Sequence, residues 1–420
     1  METVQLDREI FQTRAPNGVT VLSERVPAVR SAAVGVWVRS ASAHESRGKM
    51  GVSHLLEHMV FKGTERRSAQ DIALALESRG GSLDAYTSRD TTAFQARVLD
   101  ADLPRALDVI TDLVRRPVLR DKDLELERNV VLEEINMLDD TPDDQVFDLA
   151  SAALWPEHPY GFSIIGTRES VTALSTADLK QLHRQAYVPG NCVIAAAGNL
   201  DHERLLDELD KQGWFEWDGG REKGDGPKAA PVPPGVRGGE SRHAKDTTQT
   251  HIVLMTDTVP YADPRKYALL VLSNVFGGGM SSRLFQRVRE ELGLAYAIYA
   301  FTTFYREMGV AGVYVGTQPK TAEQAVAAIR EEFAKVAREW LTGPALADAK
   351  QQTQGQVMLS LESPAARMYR LAGFPLYGEP YQSLDDVLAT LAGLSEAEVA
   401  SVAREFFDPE RQRVVWLGPN

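Results

Sequence analysis

Within GVSHLLEHMVFKGT (51–64), two histidines stand four residues apart and a glutamate directly precedes the second. Imidazole nitrogens and carboxylate oxygens ligate metals and carry protons, and each is costly to bury without a partner. At about 100° per residue, Glu57 lies roughly 60° to one side of His54 and His58 roughly 40° to the other. Val52, Leu55, Leu56, Met59 and Val60 fall on the opposite face. A helix here packs by one side and presents His54, Glu57 and His58 on the other, and Gly63 supplies a stop. Two histidines at i and i+4 can ligate one zinc ion, and Glu57 can take a proton from the water that such an ion activates. The same residues also fit two structural histidines and a solvated glutamate. The helix alone leaves both readings open.

Two histidines do not complete a catalytic zinc site, which usually takes three protein ligands. DKDLELERNVVLEEINMLDD (121–140) offers candidates. Glu127 and Glu134 are seven apart, hence within roughly 20° of each other on a helix. Leu124, Val130, Val131, Ile135 and Leu138 surround that stripe, whereas Glu125, Arg128, Asn129 and Glu133 point elsewhere. An unpaired carboxylate in an apolar stripe is too costly to be casual. A metal with its histidines would compensate both. An exposed, Glu-rich helix would explain the charge but not its position.

The elements that must bring these helices together belong to a chain of 420 residues, 43% hydrophobic and 25% charged. That length implies two or more domains. DGGREKGDGPKAAPVPPGVRGGESRHAKD (218–246) lacks any apolar period and reads as a linker between an N-terminal domain, 1–217, and a C-terminal domain, 247–420. The halves repeat. TALSTADLKQLHRQAYVPGNCVIAAAGN (172–199) and AGLSEAEVASVAREFFDPERQRVVWLGP (392–419) share the order helix, turn, apolar strand, with Leu174, Ser175, Pro189 and Gly198 each 220 residues before its counterpart. The same offset sets Ser53, His54 and His58 against Ser273, Asn274 and Gly278, so the second copy lacks the histidine pair. Strands are expected at 32–41, 91–99 and 251–259, and helices at 68–79, 103–115, 121–138, 321–338 and 395–406. Because the two do not alternate strictly, the fold class is α+β: two homologous domains, each an α/β sandwich of a mostly antiparallel sheet with helices.

The net charge of −13 argues against a nucleic-acid partner. No run is apolar enough for a membrane span, and no secretory pattern opens the chain. Cys192, the single cysteine, excludes an internal disulfide and suits the cytoplasm. FGGGMSSRLFQRVREELGLAYAIYAF (276–301) lacks the phosphate-loop order and reads as a flexible loop before a helix starting near Ser281.

HLLEHMVFKGT followed by ERNVVLEEI resembles the inverzincin metallopeptidases, among them pitrilysin, insulin-degrading enzyme and, most closely, the β subunit of mitochondrial processing peptidase. The resemblance runs through nearly the whole chain. It implies a zinc endopeptidase acting on unfolded peptides in an enclosed chamber, with one zinc ion per chain held by His54, His58 and Glu134. It implies Glu57 as general base and Glu127 as the carboxylate behind a ligand histidine. REELGLAY matches a motif whose arginine and tyrosine act at the active site, here Arg289 and Tyr296. Both are equally compatible with plain packing roles. The glycine run resembles a shortened form of the glycine-rich loop of a processing-peptidase subunit.

The family adds substrate as a strand at a sheet edge, matched here by Asp84, Ala85 and Tyr86, although many relatives carry Asn in place of Asp84. Asp144 and Asp148 match acidic positions that recognise a basic residue near the cleavage site; a solvated helix start is the other reading. A homodimer is expected, with a heterodimer as the alternative. Two other functions remain open: a non-catalytic assembly subunit and a peptide-binding chamber with incidental metal.

Overall fold

The computed structural model describes residues 1–218, 230–235, 238–339 and 341–419. The glycine- and charge-rich stretch at 219–229, the heart of the expected linker, lies outside them. Two compact units emerge, and no single cut of the chain separates them. The first comprises Met1–Ile135, Ser163–Ala230 and Ser360–Tyr381; the second comprises Asn136–Phe162, Pro231–Leu359 and Gln382–Asn420.

The first unit is built on a seven-stranded sheet. Its strands are β1 (Glu2–Asp7), β2 (Ile10–Arg14), β3 (Thr20–Arg25), β4 (Ser31–Val38), β5 (Ser82–Thr87), β6 (Thr92–Leu99) and β7 (Cys192–Gly198), in the spatial order β1-β2-β3-β7-β4-β6-β5. All neighbours are antiparallel except β3 and β7. Alternation fixes which residue serves which face. In the wholly buried β7, Ile194 and Ala196 enter the core under the N-terminal helices, while Val193, Ala195 and Ala197 enter the core on the other face.

The first face carries α1 (Val52–Val60), α2 (Ala69–Glu77), α3 (Leu103–Arg115) and α4 (Asp121–Asp139). The bounds of α2, α3 and α4 match the expected helices to within two residues. Across the other face lies the helix Pro364–Tyr377, whose Met368, Leu371, Ala372 and Leu376 meet Leu22, Ala33 and Trp37.

The second unit repeats the plan with β8 (Glu240–Ala244), β9 (Thr250–Thr258), β10 (Ala295–Phe304), β11 (Gly309–Thr317) and β12 (Arg413–Gly418), ordered β10-β11-β9-β12-β8. Read in reverse, this is the order β3-β7-β4-β6-β5, including one parallel pair at the same place. The far face carries α5 (Pro142–Leu154), whose Phe147 stacks on Tyr314. α5 and Pro364–Tyr377 start 222 residues apart, close to the offset of the repeat.

Three expectations are corrected. Glu240–Ala244, read as linker, is an edge strand parallel to β12. It lacks an apolar period because the positions turned away from solvent are the polar Ser241 and His243, only half-buried, and Arg242 lies 4.0 Å over the Trp416 ring. Val130 leaves the α4 stripe at 44% exposure, because the buried side is centred on Leu124, Val131 and Ile135. The helix expected near Ser281 begins at Arg283 but takes the π form over Phe285–Glu291. No described helix is long and apolar enough to cross a membrane.

Candidate metal centre

Every group of the centre comes from the first unit. α1 starts at Gly51, held at φ +84, where a β-carbon would lie 2.6 Å from the Ile165 carbonyl oxygen. The buried Glu45 carboxylate accepts from the backbone N–H groups of Gly51 and Ser53, both at 2.8 Å. Those groups would otherwise be orphans of the first turn, and a negative charge there suits the helix dipole. Val52, Leu55, Leu56, Met59 and Val60 are buried, as the periodicity requires, and His54, Glu57 and His58 emerge together on the other side.

α4 lies opposite. Glu134 Oε2 is 3.6 Å from His54 Nε2, and Glu134 Oε1 is 3.5 Å from His58 Nε2. Those separations exceed ordinary hydrogen-bond lengths. They run to different oxygens of the carboxylate, and each is compatible with a pair of ligand atoms on one zinc ion, whose bonds of about 2.0–2.2 Å would set tetrahedral ligands roughly 3.3–3.6 Å apart. One ligand atom from each of the three residues lies within 4.8 Å of the others. Burial, with the neighbouring His58, pushes His54 down to about 3, which keeps its ring in the neutral form that ligation requires. The donor set and its spacing therefore fit zinc.

The other groups are placed around this core. Glu127, only 5% exposed, accepts from His58 Nδ1 at 3.2 Å and pairs with Lys62 Nζ at 2.6 Å. Glu57 Oε2 accepts from Thr87 Oγ1 at 2.7 Å. Burial raises the Glu57 carboxyl above its ordinary value, the Glu134 charge adds to the rise, and Thr87 and His58 oppose it.

Thr87 closes β5, the edge strand that pairs with β6 alone among the described strands. Asp84 is exposed on this strand, while Ala85 and Tyr86 are half-buried. The Tyr86 hydroxyl accepts from Trp37 Nε1 at 3.0 Å, on the face away from Thr87.

Four expected site residues belong to the second unit. Arg289 lies in the π-helix with its guanidinium carbon 4.6 Å from the ring centres of both Phe285 and Tyr296. Tyr296, in β10, is 78% exposed. Asp144 is exposed in the first turn of α5, and Asp148 is half-buried one turn on.

Sequence reasoning missed three contributors. Lys62 was visible as the next step of the spacing 54, 58, 62. Thr87 was visible as the strand position sharing a face with Ala85. Glu45 reaches α1 only through tertiary structure and has no local signal.

Comparison with known proteins agrees with this picture. Residues 20–168 match the family described as insulinase, peptidase family M16, and residues 173–353 match the M16 inactive domain. An uncharacterized zinc protease of Streptomyces coelicolor is 36% identical over 98% of this chain and 90% of its own length. One from Bacillus subtilis is 37% identical over 93% of this chain and 94% of its own. Among solved structures, a Helicobacter pylori protease superposes with a TM-score of 0.91 at 23% identity, covering 98% of this chain and 99% of that one. A putative M16-like peptidase from Alicyclobacillus acidocaldarius gives 0.86 at 21% identity, covering 99% and 100%. At those identities the likeness speaks to fold.

Proposed function

Because the chain belongs to the insulinase (M16) family of peptidases, we propose that it is a zinc-dependent endopeptidase that hydrolyses unfolded peptides and short polypeptides. The observation that carries this reading is the 3.5–3.6 Å spacing of Glu134 from two imidazole nitrogens. His54, His58 and Glu134 would hold one ion per chain. Bound zinc supplies Lewis acidity, polarising a carbonyl and making water a nucleophile at neutral pH.

The chain's own residues do the rest. Glu57 takes the proton of the attacking water, and burial, by raising its affinity for protons, favours that uptake. Thr87 fixes one oxygen of Glu57 and so aims the other. The edge of β5 at Asp84, Ala85 and Tyr86 receives the peptide as an added strand, which reads backbone more than sequence. Tyr296 donates to the oxygen of the reacting carbonyl, and Arg289, stacked on its ring, holds it in place.

Asp144 and Asp148 favour a basic residue near the scissile bond. The working form in this reading is a cytoplasmic homodimer enclosing a chamber, without a nucleic-acid or membrane partner.

The test is one preparation. Zinc should be present at one equivalent per chain and lost in His58→Ala, and an unfolded peptide should be cut by wild type but not by Glu57→Gln. Peptides differing only in Arg or Ala beside the cut should be separated by wild type and not by Asp144→Asn/Asp148→Asn. Zinc without cleavage in the wild type would favour a peptide-binding role instead.

A further inference from the structure

α1 and α4 face each other through alternating bases and acids. His54, His58 and Lys62 follow one another at four-residue steps, and Glu134 and Glu127 face them from α4. Glu134 lies between the two imidazoles, at 3.6 and 3.5 Å. Glu127 lies between His58 and Lys62, at 3.2 and 2.6 Å. A carboxylate offers His58 only acceptor oxygens, so Nδ1 carries the proton and Nε2 keeps its lone pair for the ion.

What fixes Glu127 therefore fixes His58. Its Oε1 is taken by Lys62, which leaves Oε2 directed at the ring. His54 has no such support: its Nδ1 is buried without a hydrogen-bond partner among the described residues. Of the two ligand rings, only that of His58 is held from behind by a carboxylate.

Lys62 is itself well placed. Its backbone N–H bonds to the Met59 carbonyl at 3.2 Å, so it extends the last turn of α1. The following residues are anchored: Thr64 donates to the buried Asp112 at 2.6 Å, and Arg67 pairs with the same carboxylate.

We propose that Lys62 is a positioning residue for the metal centre, acting through Glu127 on His58. The proposal rests on the zinc reading above and goes beyond it by adding a member behind the ligand's own supporting carboxylate. Removing such outer partners typically weakens metal binding by about 10- to 100-fold.

The experiment is chelator competition for zinc with wild type, Lys62→Met, Lys62→Arg, Glu127→Gln and the Lys62→Met/Glu127→Gln double variant, with the visible spectrum of the cobalt-substituted forms as a second readout. Lys62→Met should bind zinc about tenfold more weakly and shift the cobalt bands. Lys62→Arg should restore both. The double variant should bind no more weakly than Glu127→Gln alone, because the effect passes through that carboxylate. Wild-type affinity in Lys62→Met, or losses that simply add in the double variant, would overturn the proposal. Absence of zinc from the wild type would instead overturn the metal reading beneath it.

Discussion

One hydroxyl holds an oxygen of the Glu57 carboxylate. Thr87 Oγ1 donates to Glu57 Oε2 at 2.7 Å, and hydrogen bonds to charged groups are worth about 1.5–3 kcal/mol. Valine keeps the branched shape and strand preference of threonine while removing the donor. In Thr87→Val, kcat for a peptide should therefore fall about 10- to 100-fold, with zinc content unchanged and KM nearly so. An unaltered kcat would mean that Glu57 is aimed by its own packing. At this scale the sequence was informative where chemistry follows helical spacing. His54, His58, Glu127 and Glu134 are placed side by side as their periodicity requires. It was silent where the partner arrives from another segment, as Glu45 does.

At the scale of elements, the histidine helix depends on how it begins. Gly51 adopts a left-handed conformation against Ile165 and Gly166, and Glu45 takes up the first free N–H groups. A side chain at Gly51 meets both the φ penalty and a backbone oxygen 2.6 Å away. Gly51→Ala should cost about 1–3 kcal/mol. Its measurable signs are faster amide exchange through 52–60, a lower urea midpoint and weaker zinc binding. Gly48→Ala is the control, since nothing lies within 4 Å of a β-carbon there. Equal behaviour of the two variants would show that α1 starts without help from this turn. Long amphipathic helices were legible because one apolar stripe specifies both type and extent. β8 was not, because an edge strand can be polar on alternate positions and still be held by its ladder. The π-helix at Phe285–Glu291 carries no distinctive side-chain period by which the sequence could announce it.

At the scale of the whole molecule, the repeat was legible and the exchange was not. A constant offset of 220 residues matches β3, β4 and β7 to β8, β9 and β12, because duplicated strands keep their spacing. Which sheet a helix covers is set by packing that no local pattern records. The consequence is a dependence of the first unit on chain from the second half. Residues 360–381 cover the far face of the seven-stranded sheet, where Leu22, Ala33, Trp37, Val193, Ala195 and Ala197 meet Met368, Leu371 and Leu376. Tyr369, from the same helix, donates to Gln95 on β6, directly across from Asp84 in the β5–β6 register. A fragment ending at 218 would keep every proposed metal ligand yet expose that apolar face, and exposed patches of this kind drive association. Expressed alone, residues 1–218 should bind a hydrophobic dye and sediment as oligomers, whereas supplying 360–381 should suppress both. A lone fragment that stays monomeric, melts cooperatively and leaves the dye dark would show that the sheet's far face does not need its borrowed helix.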